Sequence, residues 1–247
     1  MKSVSLIIVG IRAAVGSRYF NSRGSVQIAG AAALSWQPHR FEGNCSRYGW
    51  MVCSNTAVWD QIANDVEVKE NFISKEEEEE LLKDVQPALN KLKYECDHWD
   101  DAIHGYRETE KSRWTEGSKI ILQRVRDVAF PPGIPQLSLV HVLDLDKKGF
   151  IKPHVDSVKF CGSTISGLCL LSSSVMRLVS ENNKADWADL LLQQRSLYIL
   201  RGRARYEFTH AILKDEDSFF KGEKVPRDRR ISVICRNLPV SEKQNLG

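Results

Sequence analysis

From residue 137 to the C-terminus, apolar residues fall in short β-branched or alternating runs separated by turn residues. "LSLVHVLDL", "FIKPHVDSV", "TISGLCLL", "VMRLVS", "SLYILRG", "ARYEFTHAI" and "RISVICRNL" read as seven or eight closely spaced strands. Upstream the period changes. Leu81, Leu82, Val85, Leu89 and Leu92 recur at helical spacing, and Ser74 with Glu77 three residues on is a capping-box pattern. A second helix is predicted over 116–129, halted by Pro131-Pro132-Gly133. Strands preceded by two helices predict an α+β protein, an antiparallel sandwich or jelly roll backed by N-terminal helices. The five glutamates 76–80 read as the solvated start of the first helix, their charge suiting the positive end of its dipole.

The amino-terminal part behaves differently. Residues 31–65 show no sustained period and read as a poorly ordered linker. Residues 1–30 contain arginine and serine but no acid, which fits a mitochondrial transit peptide and a matrix location. The apolar run Val4–Ile11 could instead be the core of a secretory signal, or the segment a tail with no address. That run is too short to span a bilayer, and nothing else in the chain reads as a transmembrane segment. Residues 241–247 read as a tail.

Charge and cysteine usage narrow the possible partners. Lys2, Arg12, Arg18, Arg23 and Arg40 take five of the 35 basic residues, leaving 30 against 32 acids in the rest of the chain. The body is therefore near neutral and gives no support to a broad nucleic-acid footprint. The six cysteines form no C-x-x-C pair and suggest no disulfide ladder, so they read as reduced thiols.

Two strands carry the candidate chemistry. In "RRISVICR" Arg230, Ser232, Ile234 and Arg236 share one face, while Ile231, Val233 and Cys235 share the other. A buried guanidinium without a partner is prohibitively costly, so the arginine face meets either solvent or an anion. In "GFIKPHVDSVKFCG", His154 and Asp156 share a strand face, with Pro153 a strand-start residue and Val155 facing away. A third ligand would complete a two-histidine, one-carboxylate iron site. His39, His98, His104, His141 and His210 are available. His210 is the best choice, because Tyr206, Phe208 and His210 alternate on one face late in the strand series.

H-x-D, a distant His and R-x5-R in the last strand together resemble the AlkB branch of the iron(II)/2-oxoglutarate dioxygenases. "YECDHWDDAIHGYRETEKSRW", "SLVHVLDLDKKGFIKPHVDSVKFCG" and "SLYILRGRARYEFTHAILKDEDSFF" are similar to its mitochondrial members, and the resemblance covers roughly residues 66–240. It implies a double-stranded β-helix, with His154, Asp156 and His210 as the metal ligands for Fe(II). It implies that Arg230 holds the distal carboxylate of 2-oxoglutarate, that Arg236 lies near the cosubstrate and iron, and that Tyr198 hydrogen-bonds the cosubstrate. It further implies that oxygen is consumed, that 2-oxoglutarate leaves as succinate and carbon dioxide, and that a C–H bond is hydroxylated. Roles in fatty-acid metabolism and in programmed necrosis after alkylation damage are also implied.

The substrate stays open at this level. Nucleic-acid-repairing members carry a basic, aromatic lid before the sheet that grips a flipped base. Here "HGYRETEKSRWTEGSK" balances Arg107, Lys111 and Arg113 with Glu108, Glu110 and Glu116, beside Trp114, and reads as an exposed connection too short for a full lid. A protein side chain is the favoured substrate and methylated mitochondrial RNA the rival, with the enzyme acting as a monomer. A non-catalytic jelly-roll module that binds a metal or an anion is the alternative of another class.

Overall fold

The computed structural model describes residues 48–98 and 101–239; the expected transit peptide, the tail and the linker up to residue 47 lie outside the described residues. In chain order the strands are β1 (Met51–Cys53), β2 (Val66–Lys69), β3 (Glu95–Asp97), β4 (Ile103–Lys111), β5 (Val140–His154), β6 (Thr164–Leu170) and β7 (Ser174–Ser180). They continue as β8 (Trp187–Leu192), β9 (Leu197–Arg201), β10 (Phe208–Ile212), β11 (Phe219–Phe220), β12 (Glu223–Lys224) and β13 (Arg230–Arg236). The helices are α1 (Thr56–Ile62), α2 (Lys75–Leu89), α3 (Glu116–Ala129) and α4 (Gly202–Tyr206).

One antiparallel sheet runs β1-β8-β7-β10-β5-β13-β6-β9-β2, with β4 on the other side of β5 and β3 beyond it. β5 makes the corner. Its first half, His141 to Leu145, pairs with β13, and its last residues, Ile151 and His154, pair with β10. The sheet therefore curls around an interior, the jelly roll that the strand pattern predicts. The two runs read separately as "LSLVHVLDL" and "FIKPHVDSV" are this single bent strand. Pro153 lies near its end rather than at a strand start. It sits where three steps on β5 oppose two on β10, an irregularity that absorbs a residue with no N–H to donate.

Two apolar layers follow from side-chain parity. Val140 and Val142 of β5, Leu168 and Leu170 of β6 and Ile231, Val233 and Cys235 of β13 face outward and bury Leu81, Val85 and Leu89 of α2 and Ile121, Leu122 and Val125 of α3. Leu143, Leu145, Ile165, Met176, Tyr198 and Ile234 point inward and form the barrel core. Leu92 falls outside this scheme, because α2 ends at Leu89 and leaves it exposed.

The expected linker proves partly folded. Residues 48–65 form β1 and α1, with Met51, Cys53, Val58, Trp59 and Ile62 buried in the barrel core. The side chain of Asn55 caps α1 by accepting from the Val58 N–H at 2.9 Å and donates to Asp186 at 2.9 Å. A three-residue strand and a seven-residue helix are too short to show a period, which is why the pattern misses them. The region 104–119 is likewise no exposed connection: 103–111 is β4, hydrogen-bonded along β5. The five described cysteines carry no disulfide. No helix among the described residues is long and apolar enough to cross a membrane.

The glutamate run is only partly solvated. Ser74 and Glu77 form the capping box, and Glu77 also takes two guanidinium bonds from Arg124 of α3 at 2.8 and 2.9 Å. Glu78 is buried and accepts from the Leu171 N–H at 2.7 Å and from Gln194 Nε2 at 2.9 Å. Leu171 adopts a left-handed φ of 74°, which a leucine holds only when its surroundings compel it. Glu78 is thus the clamp between α2 and two turns of the sheet. We expect Glu78→Ala to cost about 2–4 kcal/mol, because it strands buried donors. Exposed Glu79→Ala should stay within about 0.5 kcal/mol. Urea unfolding of the two variants checks this.

Candidate metal centre and anion pocket

β5 and β10 bring two imidazoles together, their planes tilted by 51°. His154 is the direct register partner of His210, and their ring centroids lie 4.2 Å apart. Asp156 lies two residues past the end of β5 rather than on it, yet its Oδ1 reaches 3.4 Å from His154 Nε2 and 3.6 Å from His210 Nε2. One ligand atom from each residue falls within 4.8 Å of the others. Tyr206, expected to alternate with His210, belongs instead to α4 and is exposed.

The electrostatics suit a cation. His154 Nδ1 lies 2.9 Å from the Lys152 carbonyl and must donate to it, which aims Nε2 at Asp156. Burial, reinforced by His154, pushes His210 down to about 3, so that ring is neutral. Burial works against the charged form of Asp156. The Arg236 guanidinium and the two histidines outweigh it and hold the carboxyl well below the usual carboxylate range. Two imidazoles and one carboxylate grouped on one side of a space are a donor set that could hold Fe(II). A second group, Asp97, Asp101 and His104, is exposed and tied to its own surroundings by the 2.7 Å Lys152–Asp101 pair.

Beside the triad, the inward face of β13 opens onto the same cavity, lined by Arg230, Ser232, Ile234 and Arg236 together with Tyr198 of β9. Arg230 is buried, and its one hydrogen bond among the described residues runs from Nη2 to Cys169 Sγ at 3.3 Å; its Nε and the buried Ser232 Oγ have no partner there. Unsatisfied buried donors of this kind call for an anion. Of the two readings left open for the arginine face, solvent is thus excluded for Arg230. Tyr198 is pushed up to about 12, chiefly by burial, so its phenol keeps the proton it would donate. Its ring rests on Gly167 of β6, where an added Cβ would lie 2.5 Å from ring carbons. A pocket with two guanidinia, a hydroxyl and a phenol next to three metal donors fits a dicarboxylate that also ligates a metal.

Arg236 belongs to both halves. Its Nε donates to Asp156 Oδ2 at 3.1 Å, and its Nη1 lies 3.3 Å from His141 Nδ1. The motif-based reading missed Ser232, although strand parity puts it between the two arginines. It also passed over His141, an inward position of β5, and Glu108, whose strand it did not recognise.

Comparison with known proteins agrees. Residues 90–236 match the family model described as the 2OG-Fe(II) oxygenase superfamily. The chain is 58% identical over 194 residues, 78% of its length and 88% of the relative, to the bovine protein (Bos taurus) "Alpha-ketoglutarate-dependent dioxygenase alkB homolog 7, mitochondrial". In fold it is similar to the solved structure of OsALKBH1, at TM-score 0.51 and 12% identity over 70% of this chain and 97% of that one. It is also similar to a prolyl hydroxylase from Trichoplax adhaerens solved with a hypoxia inducible factor peptide fragment, at TM-score 0.52 and 11% identity over 78% of this chain and 92% of that one. The chain belongs to the 2OG-Fe(II) oxygenase superfamily, in the alkB homolog 7 group, and is a dioxygenase that uses Fe(II), 2-oxoglutarate and O2.

Proposed function

We propose that this dioxygenase hydroxylates an aliphatic carbon of a protein side chain, working as a monomer in the mitochondrial matrix. His154, Asp156 and His210 hold the metal, and Arg230, Tyr198 and Arg236, joined by Ser232, hold 2-oxoglutarate. Bound Fe(II) supplies the chemistry that couples decarboxylation of 2-oxoglutarate by O2 to insertion of one oxygen atom into a C–H bond. The chain's own residues prepare the site. His154 and His210 turn Nε2 toward Asp156, Arg236 keeps Asp156 ionised, and Arg230 with Ser232 neutralises and orients the distal carboxylate.

The observation that carries the choice of substrate is the fate of the segment where a nucleic-acid lid would lie. Its backbone is β4 and α3, both bound into the fold. Arg107 is spent on Asp144 at 2.7 Å and on the Leu89 carbonyl, and Lys111 lies over the Trp114 ring. Aliphatic side chains such as Ile103, Leu143, Ile151, Ile165 and Met176 line the cavity, and Tyr198 is the one Phe, Tyr or Trp among its described lining residues. Sequence-tolerant capture of a flipped base calls for aromatic stacking partners and several free cations; here Arg107, Lys111 and Lys119 are paired within the fold, leaving exposed Arg113, and the cavity lining offers one such aromatic ring. The mitochondrial address rests on the names of the relatives and on the acid-free amino terminus. Roles in fatty-acid metabolism and in alkylation-induced necrosis come from the family resemblance.

Two outcomes test this reading. In calorimetric titrations of the Mn(II)-loaded protein with 2-oxoglutarate, Arg230→Met should weaken binding by about 100-fold or more, and Ser232→Ala by about 2- to 10-fold. Equal affinities would remove the arginine face from the cosubstrate site. Incubation with Fe(II), ascorbate and labelled 2-oxoglutarate should yield succinate from the wild type and none from His154→Ala. In cells lacking the enzyme, specific mitochondrial peptides should lose the mass of one oxygen atom. Unchanged peptides with accumulated methylated nucleosides in mitochondrial tRNA would overturn the protein substrate in favour of RNA.

A further inference from the structure

A line of polar groups runs inward from β4 to the proposed metal site. Glu108 Oε2 lies 2.8 Å from His141 Nε2, His141 Nδ1 lies 3.3 Å from Arg236 Nη1, and Arg236 Nε lies 3.1 Å from Asp156 Oδ2. His141 and Asp156 are buried, and Glu108 is largely covered. The direction of every bond is fixed by one fact: a guanidinium has only donors. Arg236 must donate to His141 Nδ1, so the ring's proton is on Nε2, and that N–H donates to Glu108. Burial pushes Glu108 up, but His141, His98 and Arg236 outweigh it and leave its carboxyl below the ordinary value, so it is an anion. The line therefore reads carboxylate, imidazole, guanidinium, carboxylate, with His141 joining Glu108 to Arg236 through its two ring nitrogens.

We propose that Glu108 and His141 are positioning residues that lock the Arg236 guanidinium in the plane where it serves both Asp156 and 2-oxoglutarate. The proposal rests on the assignment of Asp156 to the metal and of Arg236 to the cosubstrate. Arginine loses substantial rotamer freedom when fixed, and a fork held at Nη1 by one partner and at Nε by another is already oriented before the dianion arrives. His141 also lines the cavity, so it stands at the wall the cosubstrate would meet and acts on it through Arg236.

Two substitutions at one position separate the two bonds. His141→Asn puts an amide oxygen near the place of Nδ1 and keeps the Arg236 bond while losing Glu108. His141→Gln reaches the place of Nε2 and keeps Glu108 while losing Arg236. Titrating 2-oxoglutarate into the Mn(II)-loaded protein, we expect His141→Gln to bind about tenfold more weakly, equivalent to about 1.4 kcal/mol. His141→Asn should stay within about threefold of wild type. Glu108→Gln, which still accepts the imidazole N–H but lacks the charge, should lie between them. In steady-state assays the KM for 2-oxoglutarate should rise in the same order, with kcat changing less. In an Arg236→Met background, His141→Gln should have no further effect.

Equal losses for His141→Asn and His141→Gln, or losses that follow melting temperature alone, would overturn the positioning role and leave a structural one. If Arg236→Met itself binds 2-oxoglutarate as well as wild type, the underlying site assignment fails instead, so the two failures are distinguishable.

Discussion

The structure depends on a constraint in a single strand. β13 is paired along both edges, with β5 and β6, while helices cover one of its faces and the cavity lies against the other, so its seven residues must satisfy two incompatible environments at once. Ile231, Val233 and Cys235 enter the apolar layer beneath α2 and α3, while Arg230, Ser232 and Arg236 line the cavity. A slip of one residue in register would drive two guanidinia under the helices and open the cavity wall to isoleucine and valine. Register in this strand therefore specifies the fold and the chemistry together, and neither can drift without the other.

The same parity explains how much could be read from the sequence. Period-two alternation made the faces of β13 legible, and helical spacing with a capping box made α2 legible, because each signal extends over two or more repeats of its period; the Pro131-Pro132-Gly133 stop marked the end of α3. The cluster of His154, Asp156 and His210, the candidate metal triad, was legible through residue type, although by an argument the structure amends. Asp156 reaches the site from beyond the strand end, and His210 reaches it through its pairing with His154, not through alternation with Tyr206. Elements that lack a period stayed hidden. β1, α1 and α4 are too short to show one. β4 reads as polar because Arg107, Glu108 and Lys111 all find partners inside the fold. A charged sequence looks solvated until the partners of its charges are known.

Charge in this protein is consequently poor evidence of surface. Asp144 is fully buried and receives Arg107, Arg229 and the Tyr94 hydroxyl. Glu78 holds two turns, and Arg177 forms a two-bond pair with buried Asp189 between β7 and β8. Each is a directional tie between neighbouring elements, and such ties suit a curled sheet whose curvature must be held at chosen places. Arg230 is a contrast, as are Arg205 and Arg227, buried guanidinia that keep nitrogens without a partner among the described residues.

The three residues of β1 have a consequence for where the folded unit begins. They pair with Leu190, Asp189 and Ala188 and so cover the outer rim of β8. A fragment cut at Val66, the start suggested by the motif-bearing region, would keep every residue of the proposed catalytic site. It would also bare a run of unpaired backbone N–H and C=O groups beside apolar side chains, the kind of edge that recruits strands from other molecules. Such a fragment would keep the proposed site yet be colloidally unsound, its failure lying in aggregation at an edge that contributes no residue to the cavity.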